Sequence, residues 1–261
     1  MMKYKKYLIS IQKKGDQRYD SFFNHNHFEE KDFTIFGVKG NELSLDEYFK
    51  LAVANHITPL TPAELGCTLS HLEALKDFLA SDAQYAYVFE DDVVFKCAIN
   101  FDHEFRFLEN GFILSLGGIN LYLCNKARGQ ILKEKFYDRP ILKLHPYFSD
   151  KAFYTMGYVI DRTAAQAFID YNKIVHLADD WEGFLKYAPS ISFYFTDILA
   201  HPELNFVKNT QSSIENERLA ILKPAPLPHS IFQLLAFYLK RKLFSFKKKL
   251  KRLSTQRYPE Y

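Results

Sequence analysis

Apolar and polar positions alternate in short blocks along this chain. Residues 3–11 (KYKKYLISI) begin basic and end with apolar Tyr7, Leu8, Ile9 and Ile11, the pattern of a strand entering a core. Gly15 and Asp16 break it and open a polar, helical stretch to about Phe28. A second short strand is expected over residues 32–38, ending at Gly37 and Gly40, and residues 45–54 have helical spacing. Thr61-Pro62-Ala63-Glu64 is the clearest local signal. Thr61 suits an N-cap, Pro62 the first helical position, and Glu64 completes a capping box. The helix should run to about Ala80, with Leu65, Leu69, Leu72, Leu75 and Leu79 on one stripe, and end at Ser81 and Asp82.

Residues 85–89 (YAYVF) read as an apolar strand that runs straight into Glu90-Asp91-Asp92. Further strands are expected at 112–116, 154–160 and 190–195, with helices at 162–171 and 180–187. Strands and helices in alternation predict an α/β class with a largely parallel sheet. Pro224, Pro226 and Pro228 predict a stiff linker, dividing a main domain over 1–223 from a tail over 224–261.

Charge sharpens that division. The net charge is +3, yet residues 229–261 carry +8 and the rest of the chain −5. In the tail, Ile231, Phe232, Leu234, Leu235, Tyr238, Leu239, Leu243, Phe244, Phe246, Leu250 and Leu253 alternate with basic clusters. That is the pattern of an interfacial helix on an anionic membrane, and its apolar content argues against nucleic acid as the partner. The longest apolar run, 231–239, is too short to span a bilayer. With 48% hydrophobic residues and 25% charged, disorder and coiled coil are excluded as the main state. Cys67, Cys97 and Cys124 form neither a disulfide framework nor a metal-ligand spacing, which fits a reducing compartment. The expected location is the cytoplasm, peripheral to the cytoplasmic face of an inner membrane.

Four groups of residues carry candidate chemistry. Glu90 and Asp92, two apart on extended backbone at a strand end, have the hard oxygens that suit Mg²⁺ or Mn²⁺ on a substrate diphosphate; the alternative is a solvated acidic turn or a helix cap. Asp179-Asp180-Trp181-Glu182 places the only Trp beside acids, offering a face for a pyranose and a carboxylate base; the alternative is an Asp cap with Trp181 in the core. Ser70 and His71 are candidate contacts to a nucleotide or phosphate, with a structural His as the alternative. Gln211-Ser212-Ser213-Ile214 with Arg218 is a polar segment able to hold a phosphate or acceptor hydroxyls, or an ordinary surface loop.

Together these residues resemble glycosyltransferase family 25, the lipooligosaccharide (lipopolysaccharide core) glycosyltransferases. Residues 60–71 (LTPAELGCTLSH) are similar to the signature L-T-x-G-E-I-G-C-x-x-S-H, with Ala63 where the family usually has Gly. Residues 87–93 (YVFEDDV) resemble its strand and E-D-D motif, Gly157-Tyr158-Val159-Ile160 its G-x-x-I segment, Asp180-Trp181 its D-W element, and 211–214 its closing Q-S-x-I region. The resemblance implies a GT-A, Rossmann-like fold binding a UDP-sugar, with Mn²⁺ or Mg²⁺ on the diphosphate. It implies galactose or glucose transfer to a lipooligosaccharide or lipopolysaccharide core acceptor, with inversion to a β-linkage. On this reading Asp92 and Glu90 hold the metal, and Asp180, with Asp179 as fallback, is the base. Ser10, Arg18, Ser70, His71, Glu90, Asp91, Gly157, Trp181, Gln211 and Ser213 contact donor or acceptor. A metal-dependent nucleotide phosphohydrolase and a non-catalytic membrane adaptor stand as the alternatives.

Overall fold

A computed structural model describes residues 4–200 and 244–259. Gln211, Ser213, Arg218, the three prolines at 224–228 and the apolar run at 231–239 lie outside the described residues. Element order is β1 (Tyr4–Ile9), α1 (Gln17–Asn26), β2 (Thr34–Phe36), α2 (Leu45–Tyr48, continued by a π turn, Phe49–Val53), α3 (Pro62–Ala80), β3 (Tyr85–Glu90), β4 (Val94–Phe95), β5 (Phe112–Gly117), β6 (Arg128–Phe136), β7 (Arg139–Leu144), β8 (Gly157–Asp161), α4 (Arg162–Tyr171), α5 (Trp181–Tyr187) and β9 (Ser192–Ala200). A helix over 244–253, α6, and β10 (Gln256–Arg257) close the described chain.

The strands form one sheet in the order β10-β6-β7-β9-β5-β8-β3-β1-β2, with β4 pairing β9. The expectation of a largely parallel sheet is corrected to a mixed one. β1 pairs β2 and β3 in parallel, and β5 pairs β9 in parallel. The other pairings are antiparallel, because β8 enters between β3 and β5 and a β6–β7 hairpin extends the far side. Alternating residues serve two cores. Ile9, Val88, Tyr158, Ile160 and Phe193 face the layer of α3, α4 and α5. Leu8, Phe89, Val159 and Tyr194 face α1 and the segment around Phe101 and Phe105.

Helix α3 forms as its sequence dictates. Glu64 N donates to Thr61 Oγ1 at 3.1 Å and Thr61 N to Glu64 Oε2 at 2.8 Å, both buried. Leu65, Leu72 and Leu75 are buried along its inner stripe. Its far end is held by Arg162 of α4, which donates to the carbonyls of Leu79 and Ser81 at 2.8 Å. The turn after β2 presses onto its first turn: a Cβ on Gly40 would sit 1.8 Å from the Pro62 carbonyl oxygen. Thr61→Ala should lower stability by about 1–2 kcal/mol, read as a shift of the denaturant midpoint with unchanged slope.

The end of the chain returns to the body. β10 pairs antiparallel with β6, Tyr258 is buried with its hydroxyl donating to the Pro140 carbonyl at 3.1 Å, and Arg128 holds the carbonyl of Arg252 at 2.9 Å. An otherwise open edge of the sheet is thereby covered. Among the described residues, no helix is long and apolar enough to cross a membrane.

Candidate active site

Parallel strands β1, β2 and β3 end on the same side of the sheet, and the acid cluster stands there. Ser10 follows β1 and its backbone N–H donates to the Phe36 carbonyl of β2 at 2.9 Å. The Ser10 hydroxyl, buried, donates to Asp91 Oδ2 at 2.6 Å. Arg18, in the first turn of α1, bonds the other Asp91 oxygen and reaches Asp92 Oδ2 at 2.9 Å. One cation thus bridges two adjacent carboxylates, which answers their mutual repulsion. Burial raises the Asp91 pKa although Arg18 and Ser10 pull it down. Burial pulls Arg18 down in turn, but Asp92 and Asp91 more than offset it and the net shift is upward.

Glu90 takes the opposite direction. The strand stops at Glu90 and the chain turns at Asp91 and Asp92, so the Glu90 carboxylate bonds a different hydroxyl, while its charge still acts on Arg18. Glu90 Oε1 accepts from the Thr155 hydroxyl and lies 3.5 Å from His71 Nε2. His71 is 1% exposed; its Nδ1 is 3.0 Å from the Tyr158 hydroxyl, and the two rings stack at 5.7 Å. Thr155 and Tyr158 reach this site because antiparallel β8 lies beside β3, a neighbour relation that sequence spacing does not announce.

A second polar knot stands beyond β3. The pairing of β5 with β9 shifts register between Ser115 and Gly117, and the extra residues of β9 include Asp197. Lys96 Nζ is 2.6 Å from Asp197 Oδ1 and Asn120 Nδ2 donates to Oδ2 at 3.0 Å. None of the three was marked by sequence pattern. A bulge that turns a carboxylate to the strand end leaves no periodic trace.

Several expected contacts become packing residues. Ser70 donates to the Gly66 carbonyl at 2.7 Å and accepts from Val38 N–H at 2.8 Å, so its hydroxyl ties the β2 turn to α3. A Cβ on Gly157 would lie 2.3 Å from Leu199 Cδ1, so this glycine makes room between strands and does not face a donor. Trp181 is 1% exposed, ringed by Tyr158, Phe168 and Phe193 at 5.3–5.6 Å, and its indole N–H donates to the Tyr154 carbonyl at 3.0 Å. No face of it is open to a sugar. Asp180 caps α5 through Gly183 N–H at 3.0 Å while its other oxygen accepts from the Tyr171 hydroxyl at 2.5 Å. Both of the carboxylate oxygens proposed for base chemistry are therefore committed to the fold. Asp179 lies instead toward Cys124 and Tyr154. Burial is the main cause that lifts both of those groups, Cys124 to about 12, with Asp179 adding to each.

A family model covers most of the described chain. The model of glycosyltransferase family 25 (LPS biosynthesis protein) matches residues 3–181. The chain belongs to glycosyltransferase family 25. Family 25 membership indicates a glycosyltransferase of lipopolysaccharide biosynthesis, with a sugar donor and an LPS-type acceptor. The matched span holds Ser10, Arg18, the α3 motif, the acid cluster and Trp181. No curated protein matches. Among solved structures, the crystal structure of A197 from STIV is similar at 16% identity and a TM-score of 0.38, over 76% of this chain and 83% of that one.

Proposed function

We propose that this family 25 chain moves galactose or glucose from a UDP-sugar to a lipooligosaccharide or lipopolysaccharide core acceptor, with inversion to a β-linkage. The observation that carries the reading is the Arg18-bridged pair Asp91 and Asp92 at the ends of β1 and β3, inside the span that matches the family. Asp91 has both oxygens engaged, so it fixes the geometry. Asp92, at the rim, is the carboxylate assigned to Mn²⁺ or Mg²⁺. The donor set is hard oxygen at a parallel strand end, so the residues fit such an ion, with Arg18 as the cation it would share Asp92 with. Bound there, the ion would neutralise charge developing on the leaving diphosphate.

Asp179 is assigned as the base that accepts the acceptor hydroxyl proton, since Asp180 is a cap. It stands by Tyr154, next in the chain to the Thr155 that holds Glu90. A single in-line displacement by the deprotonated hydroxyl then inverts the sugar. The test is UDP release by the purified chain with Mn²⁺, each common UDP-sugar in turn, and a lactose- or glucose-terminated acceptor. Release that needs one sugar, metal and acceptor together supports the transferase. Phosphate release from nucleotide without any acceptor would replace it with a phosphohydrolase.

The described part of the tail favours an anionic membrane surface as partner. Helix α6 rests on the body through Lys248, whose Nζ is 2.6 Å from Asp150 Oδ1 and 5.1 Å from the centre of the Phe148 ring. Phe246, Leu250 and Leu253, on another side of the helix, are 60%, 52% and 87% exposed, among exposed Lys247, Lys249 and Arg252. Apolar side chains between cations suit a headgroup layer. Replacing all three apolar residues by Ser should weaken sedimentation with phosphatidylglycerol vesicles by about tenfold or more and leave UDP release from the donor in the presence of a soluble acceptor unchanged. Undiminished sedimentation would refute the assignment of that face.

A further inference from the structure

Cys67 and His71 are four residues apart on α3, so both side chains project from one face of the helix toward the end of β3. Glu90 meets them there. The Cys67 sulfur, a ring nitrogen of His71 and a carboxylate oxygen of Glu90 all lie within 4.8 Å of one another. His71 Nε2 is buried and has no hydrogen-bond partner. Its distance of 3.5 Å from Glu90 Oε1 is long for a hydrogen bond. It is the separation of two atoms bound to one tetrahedral ion, since ligands ~2.1 Å from a metal stand ~3.5 Å apart.

We infer that Cys67, His71 and Glu90 form a site for a borderline-soft divalent cation of the zinc type, separate from the oxygen-only site assigned to Asp92. Sulfur and imidazole nitrogen disfavour Mg²⁺ and suit Zn²⁺. The surroundings are those of a metal site. Nδ1 lies 3.0 Å from the Tyr158 hydroxyl, so in the tautomer that donates to this oxygen the Nε2 lone pair is left for the ion. Thr155 donates to Glu90 and fixes its carboxylate. On binding, the Cys67 thiol loses its proton to solvent and the thiolate becomes a ligand. Cys67 and Glu90 are partly exposed, which gives the ion a way in. Three protein ligands leave a fourth tetrahedral position for water or a substrate oxygen.

The test is a cobalt titration of the full-length protein after treatment with chelator and reducing agent. A thiolate-to-cobalt charge-transfer band should grow to one equivalent of Co²⁺ and vanish on adding Zn²⁺. The oxygen donors of Asp91 and Asp92 give no such band, so the result is independent of the transferase reading. Cys67→Ser should abolish the band, whereas Cys97→Ser and Cys124→Ser should keep it. Tyr158→Phe should weaken Zn²⁺ binding about tenfold. Absence of the band at saturating Co²⁺, or its survival in Cys67→Ser, overturns the site. If Cys67→Ser does not fold, alkylation of the native protein decides. Zn²⁺ should shield Cys67 from iodoacetamide, read by peptide mass spectrometry, and unshielded Cys67 overturns the proposal.

Discussion

Asp92→Asn will leave the protein folded and, on the proposed assignment of Asp92 to the metal, reduce sugar transfer on the order of a hundredfold, the usual scale for removing one group that stabilises developing charge. The folded state should lose only about 1 kcal/mol, since Arg18 is half exposed and its ion pair with Asp92 is partly solvated. The neighbouring Asp91→Asn should behave in the opposite sense. Asp91 is 6% exposed, with one oxygen bound to Arg18 and the other to Ser10. Breaking that buried arrangement should cost about 3–5 kcal/mol. Denaturant melts beside initial rates at several Mn²⁺ concentrations separate the two. An Asp92→Asn protein with full turnover and an unchanged Mn²⁺ requirement would remove Asp92 from the chemistry.

How far the sequence disclosed this arrangement depends on the range of the forces involved. Helix α3 was legible to the residue because its capping box, proline and leucine stripe are all local to it. The strands that feed the acid cluster were legible for the same reason, being short apolar runs ended by breakers. The β6–β7 hairpin was not. Its turn is Tyr137-Asp138, both in the left-handed region at φ 49° and 60°, without the glycine that usually signals such a turn. Its first strand carries Lys133, Glu134 and Lys135 in succession, which breaks any apolar alternation. Sheet direction was misjudged because strand order is a long-range property, and an antiparallel β8 between β3 and β5 has no local signature.

The site divides in the same way. Glu90, Asp91 and Asp92 stood out because acids at the end of an apolar strand are anomalous in composition alone. Sequence could not distribute them, however: Arg18 lies 73 positions from Asp91, and Thr155 lies 65 from Glu90. Ser70, Gly157, Asp180 and Trp181 show the converse error. Each sits in a stretch that resembles a motif, and each is occupied by the fold, through a carbonyl, a close strand contact, a helix cap or an aromatic cage. A motif can hold residues that build a site's walls as well as those that line it, and the partners each side chain finds in the fold tell them apart.

Trp181→Ala is the experiment that turns this distinction into a number. The indole fills the space among Tyr158, Phe168, Phe184 and Phe193 and is 1% exposed. Removing it should cost about 3–5 kcal/mol, against a total stability of about 5–15 kcal/mol for a domain of ordinary size. A sugar platform would behave otherwise: its loss would raise KM for donor or acceptor and leave the melt in place. The expectation here is a large fall in denaturant midpoint with KM for both substrates held in the fraction that stays folded, and a smaller fall for Trp181→Phe, which keeps one aromatic ring but leaves part of the space empty and strands the Tyr154 carbonyl. An unshifted melt with a raised KM would return Trp181 to the substrate. The indole N–H matters beyond packing, because it pins Tyr154, a residue held at φ 71°, directly before Thr155. Thr155 in turn holds Glu90 against His71. Trp181 thus fixes the backbone from which the Thr155 hydroxyl projects toward Glu90.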